Sequence, residues 1–229
     1  MTIVLHELVG KDPARPFSPH CWKAAMALAH KQLDFERVPV PFTGVGEVEG
    51  RMSKTVPVMR DGDRVIADSF DIAVYLDETY PERPSLFGGP GGQAMARFIE
   101  RWSQGTIHPY LGSAALMDIH DGLAPADQAY FRESREKRFG KRLEEVPSAR
   151  EAGLDAFRAS LAPLRSMLDY QPFIGGTSPL FADYIVFGAF QWARVISPFV
   201  LLANDDPVRD WFERCLDLHD GLGRRVAAA

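Results

Sequence analysis

Two periods of hydrophobicity divide the first 85 residues. TIVLHEL (residues 2–8) is a short β-rich run, and DFERVPV (34–40) alternates like a strand. Between them, Ser18 to Lys31 (SPHCWKAAMALAHK) carries the helical period; Pro19 is pre-shaped for the first helical position and makes Ser18 the N-cap. VPVMRDGDRVIAD (56–68) predicts a hairpin turning at Asp61-Gly62, and SFDIAVYLDETY (69–80) predicts a second helix stopped by Pro81. The order is strand, helix, strand, loop, hairpin, helix. A parallel βαβ unit followed by an antiparallel pair makes a small α/β sheet.

PERPSLFGGPGGQ (81–93) holds three Pro and four Gly, a linker by composition. Beyond it the strand signals disappear. ARFIERWSQGTIHPYLGSAALMDIH, DQAYFRESREKRFGKRLEEV, AGLDAFRASLAPLRSMLDY, ADYIVFGAFQWARVIS and PVRDWFERCLDLHDGL all carry helical patterns. The division expected is an α/β domain over 1–83, a linker over 84–93 and an all-helical domain over 94–229. A cleft between the two domains is the natural place for a ligand.

Composition narrows the function. The 229 residues are 46% apolar, enough for a sizeable core, and the net charge of −5 argues against a nucleic-acid surface, which needs clustered Lys and Arg. The two cysteines, Cys21 and Cys215, form no disulfide framework, and neither a CxxC pair nor an HExxH motif offers a zinc site, so no metal is expected. A reduced, cytoplasmic setting follows. MTIVLHELVG lacks the basic start and apolar stretch of a signal peptide. The most apolar stretch, Phe181 to Ala203, is interrupted by Asp183, Gln191, Arg194 and Pro198, which predicts a buried helix rather than a membrane span.

Three short stretches carry the candidate chemistry. At Ser18-Pro19 the first-turn N–H groups lack intrahelical partners and form the positive end of the helix dipole, so an anion or thiolate there is stabilised. A thiol at such a position drops from about 8.5 to about 3.5–7.5, and a hydroxyl donating to the sulfur adds to that preference. Ser18 is thus either a plain cap or a thiolate partner. In Thr55-Val56-Pro57-Val58 the proline opens a strand, either trans on an edge or cis in a tight connection. Asp68-Ser69 begins the second helix; capping alone accounts for both, and the pair could also hold an α-amino and an α-carboxylate group.

Taken together, S-P-x-C at the first helix, V-P opening the third strand and D-S opening the next helix resemble the thioredoxin-like domain of glutathione transferases, and the helical remainder resembles their second domain. The resemblance covers essentially the whole chain and extends to DSFDIAVYLDETYPERPSLF, GGTSPLFADY and DDPVRDWFERCLDLHDGLGR. These phrases, with FSPHCW and MDIHDGL, look most like the bacterial glutathione-dependent β-aryl etherases that open lignin-derived ethers, and a related fungal transferase class. The resemblance implies an enzyme that uses glutathione as co-substrate, with Ser18 activating its thiolate. It also implies that Val56 pairs its backbone with the cysteinyl unit, that Pro57 is cis, and that Asp68 and Ser69 hold the γ-glutamyl end. Lys54 is the candidate for the glycyl carboxylate. Phe17, His108 and Tyr110 are candidates for the pocket of an apolar or aromatic electrophile. Such relatives usually dimerise, so a homodimer is expected, with neither nucleic acid nor membrane as partner.

Cys21 stands where dithiol relatives keep a second cysteine, but Ser18 replaces the first, which excludes exchange through a CxxC pair; Cys21 is expected to be a small buried apolar residue. Two other readings stay open: a glutathione-fold carrier without turnover, and a glutaredoxin-like thiol transferase. Asp183 is expected to be structural, because Leu180 occupies the place of its reciprocal cap and leaves the capping box half missing. Gly44-Val45-Gly46 and Gly88 to Gly92 lack the remaining residues of nucleotide-binding loops. RESREKRFGKRLEE mixes charges and predicts a solvated helical face. His6, His30, His120 and His219 are expected to be structural or exposed.

Overall fold

The computed structural model describes residues 2–229. Four strands, β1 (Ile3–Leu8), β2 (Phe35–Val40), β3 (Val58–Asp61) and β4 (Arg64–Ala67), form one sheet in the order β2-β1-β3-β4. β1 runs parallel to β2, with Ile3 opposite Phe35 and Leu8 opposite Val40; β3 is antiparallel to both β1 and β4. Helix α1 (Pro19–His30) is the crossover between the parallel strands, and α2 (Ser69–Thr79) follows the hairpin. This is the thioredoxin-like arrangement expected. The turn lies one residue later than the sequence suggests: Asp61 pairs with Arg64 as a strand residue, and Gly62, at φ +58°, begins a two-residue turn. Asp61 is kept in the strand by two tyrosines of α2 and its C-terminus, Tyr75 and Tyr80, whose hydroxyls donate to its carboxylate at 3.1 and 2.5 Å. The segment Phe42–Gly50, expected as loop, is 3₁₀-helical with a kink at Val48 and Glu49.

The remainder is helical: α3 (Pro90–Ala114), α4 (Leu116–Asp121), α5 (Pro125–Phe139), α6 (Arg150–Ser160), α7 (Ala162–Leu168), α8 (Phe181–Ile196) and α9 (Pro207–Gly221). Helix α3 begins inside the segment read as linker, because Gly88 and Gly89 both adopt positive φ and Pro90 starts a helical turn directly after them. Two runs read as single helices are each broken in two, at Ala115 between α3 and α4 and at Leu161 between α6 and α7.

Helix α8 is buried along most of its length and packs on both α1 and α3. Across this junction Phe70, Phe87 and Phe181 form a triangle of rings with centroids 5.4–5.6 Å apart. Two buried lysines are each paired with a carboxylate. Lys23 of α1 meets Glu100 of α3 at 3.1 Å with both side chains buried, and Lys31 meets Asp77 at 2.8 Å. Asp183 is structural, as expected. Its carboxylate accepts from the backbone N–H groups of Leu180 (2.9 Å), Ile174 (2.7 Å) and Gly175 (2.9 Å), and from the Trp211 indole at 3.0 Å. Leu180 has no side-chain acceptor to return the bond, so only one half of a capping box exists.

Candidate active site

Ser18 lies at φ −58°, ψ 126°, outside the helix, and its Oγ accepts from the Cys21 N–H at 3.3 Å. It is therefore a true N-cap. The same residue lies on the wall of a cavity of about 480 Å³ between the two domains. Because the oxygen accepts from the backbone, the hydroxyl hydrogen is left to donate to something else. Cys21 is wholly buried, and burial, with the Glu7 carboxylate adding to it, pushes its thiol up to about 12. It is inert, as expected.

The cavity is built from both domains. Phe17, Ser18 and His20 come from the entry to α1, Phe42 from the 3₁₀ segment, His108 from α3 and Trp192 from α8. Phe17 and His108, both candidates for an electrophile pocket, line this cavity. Tyr110 does not. Two positions along a helix is a turn of about 200°, so Tyr110 faces away from His108; its ring stacks on Phe157 at 4.4 Å and its hydroxyl donates to the Arg150 carbonyl at 2.5 Å. Gly112 lies beside Trp192: a Cβ built there would stand 3.4 Å from the indole ring, an ordinary contact.

His20 and His108 face each other with ring centroids 5.4 Å apart. Burial, reinforced by the Lys23 ammonium and by each other's proximity, holds His20 near pKa 3, and burial with Lys23 holds His108 near 4. Both are neutral imidazoles at neutral pH. The Nε2 atom of His108 is buried without a hydrogen-bond partner among the described residues.

The charged run on α5 is not the uniformly solvated face the sequence suggests. Phe131, Arg135, Arg138 and Phe139 line the cavity. Their spacing of i, i+4, i+7, i+8 is that of one helical face, a signal hidden by the surrounding charges.

The other candidates lie outside this cavity. The Val56–Pro57 peptide bond is cis, and Val56 stands just beyond the β1–β3 pairing, which ends at Val58 opposite His6. Asp68 caps α2, accepting from the N–H groups of Phe70 at 2.8 Å and Asp71 at 3.3 Å, at a positive φ of 75° that a non-glycine residue adopts only at a cost. Ser69 is buried at the first position of that helix, and its hydroxyl makes no hydrogen bond among the described residues. Lys54 is exposed on the connection before β3. Among the described residues no group of three or more His, Cys, Asp or Glu side chains could hold a metal ion.

Two family descriptions match the chain: "Glutathione S-transferase, N-terminal domain" over residues 13–84 and "Glutathione S-transferase, C-terminal domain" over residues 94–218. The chain belongs to the glutathione S-transferase family. Among curated members of the family, Glutathione S-transferase Z1 of Arabidopsis thaliana is 45% identical over 69 residues, 28% of this chain and 31% of that one. The matched segment thus spans about a third of the length of such a transferase. Glutathione transferase GSTFuA3 of Phanerochaete chrysosporium superposes on 99% of this chain and 94% of its own with a TM-score of 0.76, at 27% identity. The CsGST63524 transferase of Ceriporiopsis subvermispora, solved in complex with glutathione, shares the fold over 96% of this chain and 97% of its own, at 22% identity and a TM-score of 0.79.

Proposed function

We propose that the chain is a glutathione transferase in which residues 1–83 bind glutathione, residues 84–93 link the domains and residues 94–229 complete the pocket of an electrophile. Glutathione lies along the edge of the α/β domain, its γ-glutamyl end on Asp68 and Ser69, its cysteinyl backbone on Val56 before cis Pro57, and its glycyl carboxylate on Lys54. Its sulfur rests at the start of α1, where the Ser18 hydroxyl donates to it. The thiolate attacks an electrophilic carbon of an aromatic substrate in the inter-domain cavity, the sulfur–carbon bond forming as the leaving group departs with its electron pair. The protein supplies position and charge stabilisation.

The observation that carries this reading is Ser18 itself, a helix cap with a free hydroxyl hydrogen on the wall of a cavity that Phe17, Phe42, Phe131, Phe139 and Trp192 also line. The fungal transferase with a glutathione complex adds support for the tripeptide as co-substrate. Within the class, displacement at an aryl-ether carbon is the favoured reaction, ahead of general conjugation of xenobiotics. The burial of Cys21 and its high thiol pKa argue against a glutaredoxin-like thiol transferase. Met52, Met95 and Phe98 are exposed by more than half, large apolar side chains that suit a homodimer interface. Two free, buried cysteines suit a reducing cytoplasm.

The test is turnover of glutathione with chlorodinitrobenzene and a set of model β-aryl ethers. Conjugation by the wild type, slowed in Ser18→Ala while glutathione affinity holds, is expected. A wild type that binds glutathione, shows no thiolate absorbance and turns over nothing would leave the carrier reading in its place.

A further inference from the structure

We propose that the cavity selects aromatic electrophiles bearing an anionic substituent, a carboxylate or sulfonate, which Arg135 and Arg138 of α5 hold. The proposal names the substrate class of the cavity and rests on its reading as the electrophile pocket.

The two guanidinium groups share their wall with Phe17, Phe42, Phe131 and Phe139, and no Asp or Glu side chain lines the cavity. Neither arginine has a carboxylate within 4.0 Å among the described residues. Arg132, on the same helix, has two, Glu136 at 3.1 Å and Glu144 at 2.9 Å. Acidic partners are therefore close in sequence, but they pair with Arg132 and not with the half-buried Arg135 or the exposed Arg138 at the cavity wall. Arg135 is half-buried; its guanidinium carbon stands 4.6 Å from the Phe131 ring centroid and 5.9 Å from that of Phe42, and it donates only to the Ser134 hydroxyl at 2.9 Å. Burial and the Arg138 charge beside it hold its pKa below the usual arginine range. Arg138 makes no hydrogen bond among the described residues.

A partly desolvated cation without a counter-charge is costly, and a second cation beside it raises the cost. An anion entering the cavity would relieve both, and the planar guanidinium fork matches a carboxylate or sulfonate. The net charge of the chain is −5, so this positive wall does not follow from a generally basic surface. The apolar lining around it asks for a flat hydrocarbon body on the same molecule. Inorganic anions lack that body, and neutral arenes leave the two cations unpaired.

Two pairs of compounds test the proposal, compared in wild type and in Arg135→Gln/Arg138→Gln. The first pair is a chloronitrobenzoate and its methyl ester, read as kcat/KM with glutathione, each divided by its uncatalysed rate. The second is anilinonaphthalene sulfonate and its uncharged counterpart phenylnaphthylamine, read as dissociation constants from fluorescence without any reaction. The double variant is expected to lower the anion-to-neutral ratio about tenfold in both pairs, through KM in the first, and added salt should shrink the wild-type ratio. Binding of phenylnaphthylamine by the variant reports that the cavity has folded. Normal turnover with both ratios unmoved overturns the anion selection and leaves the transferase reading intact. Loss of the sulfonate preference in a protein that conjugates neither chloroarene overturns the transferase reading and leaves the anion selection standing.

Discussion

Gly188 of α8 lies directly against the backbone carbonyl of Pro19: a Cβ built on the glycine would stand 2.3 Å from that oxygen and 3.3 Å from its carbon. The neighbour is the first helical residue of α1, one position after Ser18. The longest-buried helix of the second domain thus presses on the point in the first domain where the proposed thiolate rests. Gly188→Ala must push backbone from backbone, so a cost of about 1–3 kcal/mol is expected, with a lower urea midpoint. The same push moves the onset of α1 and should raise the pKa of bound glutathione. An unchanged midpoint would show that the two helices are not in contact as described.

Ser18→Ala removes the helix cap and, with it, the proposed donor to sulfur. Loss of the cap to the Cys21 N–H is expected to cost about 0.5–2 kcal/mol in denaturant unfolding. Loss of the donor to sulfur should move the thiolate absorbance of the glutathione complex to higher pH. Ser18→Thr keeps a hydroxyl and should recover much of the first effect. Equal stability of the alanine variant and wild type would remove the cap from the account.

The buried Lys23–Glu100 pair joins α1 to α3. Burial depresses the Lys23 ammonium while Glu100 pulls the other way. Lys23→Met leaves Glu100 with Arg97 alone, at 3.0 Å, and is expected to cost about 3–5 kcal/mol. Replacing both residues by Met should recover most of that loss. A double-mutant cycle with no coupling between the two positions would contradict the geometry.

Acid should destabilise the fold in a definite window. His20 is held near 3, and His108 and His219 near 4, all below the ordinary 6.5, chiefly by burial. Between those values the unfolded chain binds protons that the folded one refuses. The stability these groups confer is complete above about pH 6.5 and is lost as pH falls towards 4 and then 3, by up to about 1.4 kcal/mol per pH unit for each histidine. Unfolding free energies measured between pH 7 and 4 should fall steeply, and less so in His108→Gln. A flat profile would mean that these rings are solvated.

Tyr110→Phe separates packing from substrate binding. The variant loses the bond to the Arg150 carbonyl, a cost of about 0.5–1.5 kcal/mol, and should leave KM for the electrophile where it was. A substantial rise in KM would place Tyr110 in the pocket after all.

The sequence carries the α/β half almost completely, because its signals are local: a proline and a serine at a helix start, an alternating strand, a glycine at a turn. The hairpin slipped by one residue because what holds Asp61 in the strand comes from Tyr75 and Tyr80, fourteen and nineteen positions away. The cavity is less legible. His108 and Tyr110 look equivalent as a pair of ring residues, yet the helical turn sends them to opposite faces, and only the packing partners, Trp192 for one and Phe157 for the other, decide which face is the pocket. On α5 the charge pattern dominates the eye, and the four residues that matter share a face only when counted along the helix. Trp192 could not be told from an ordinary core residue of α8 by any local sign.

The carboxylate of Asp183 binds together a turn at residues 174–175, the N-cap Leu180 of α8 and an indole on α9 that follows it by 28 positions. Together these segments supply the four donors that hold the buried carboxylate, and losing any one leaves it with fewer. These three segments are therefore expected to open together: amide exchange at the start of α8, at Gly175 and beside Trp211 should speed up in concert, with no stage at which one of them frays while the others hold.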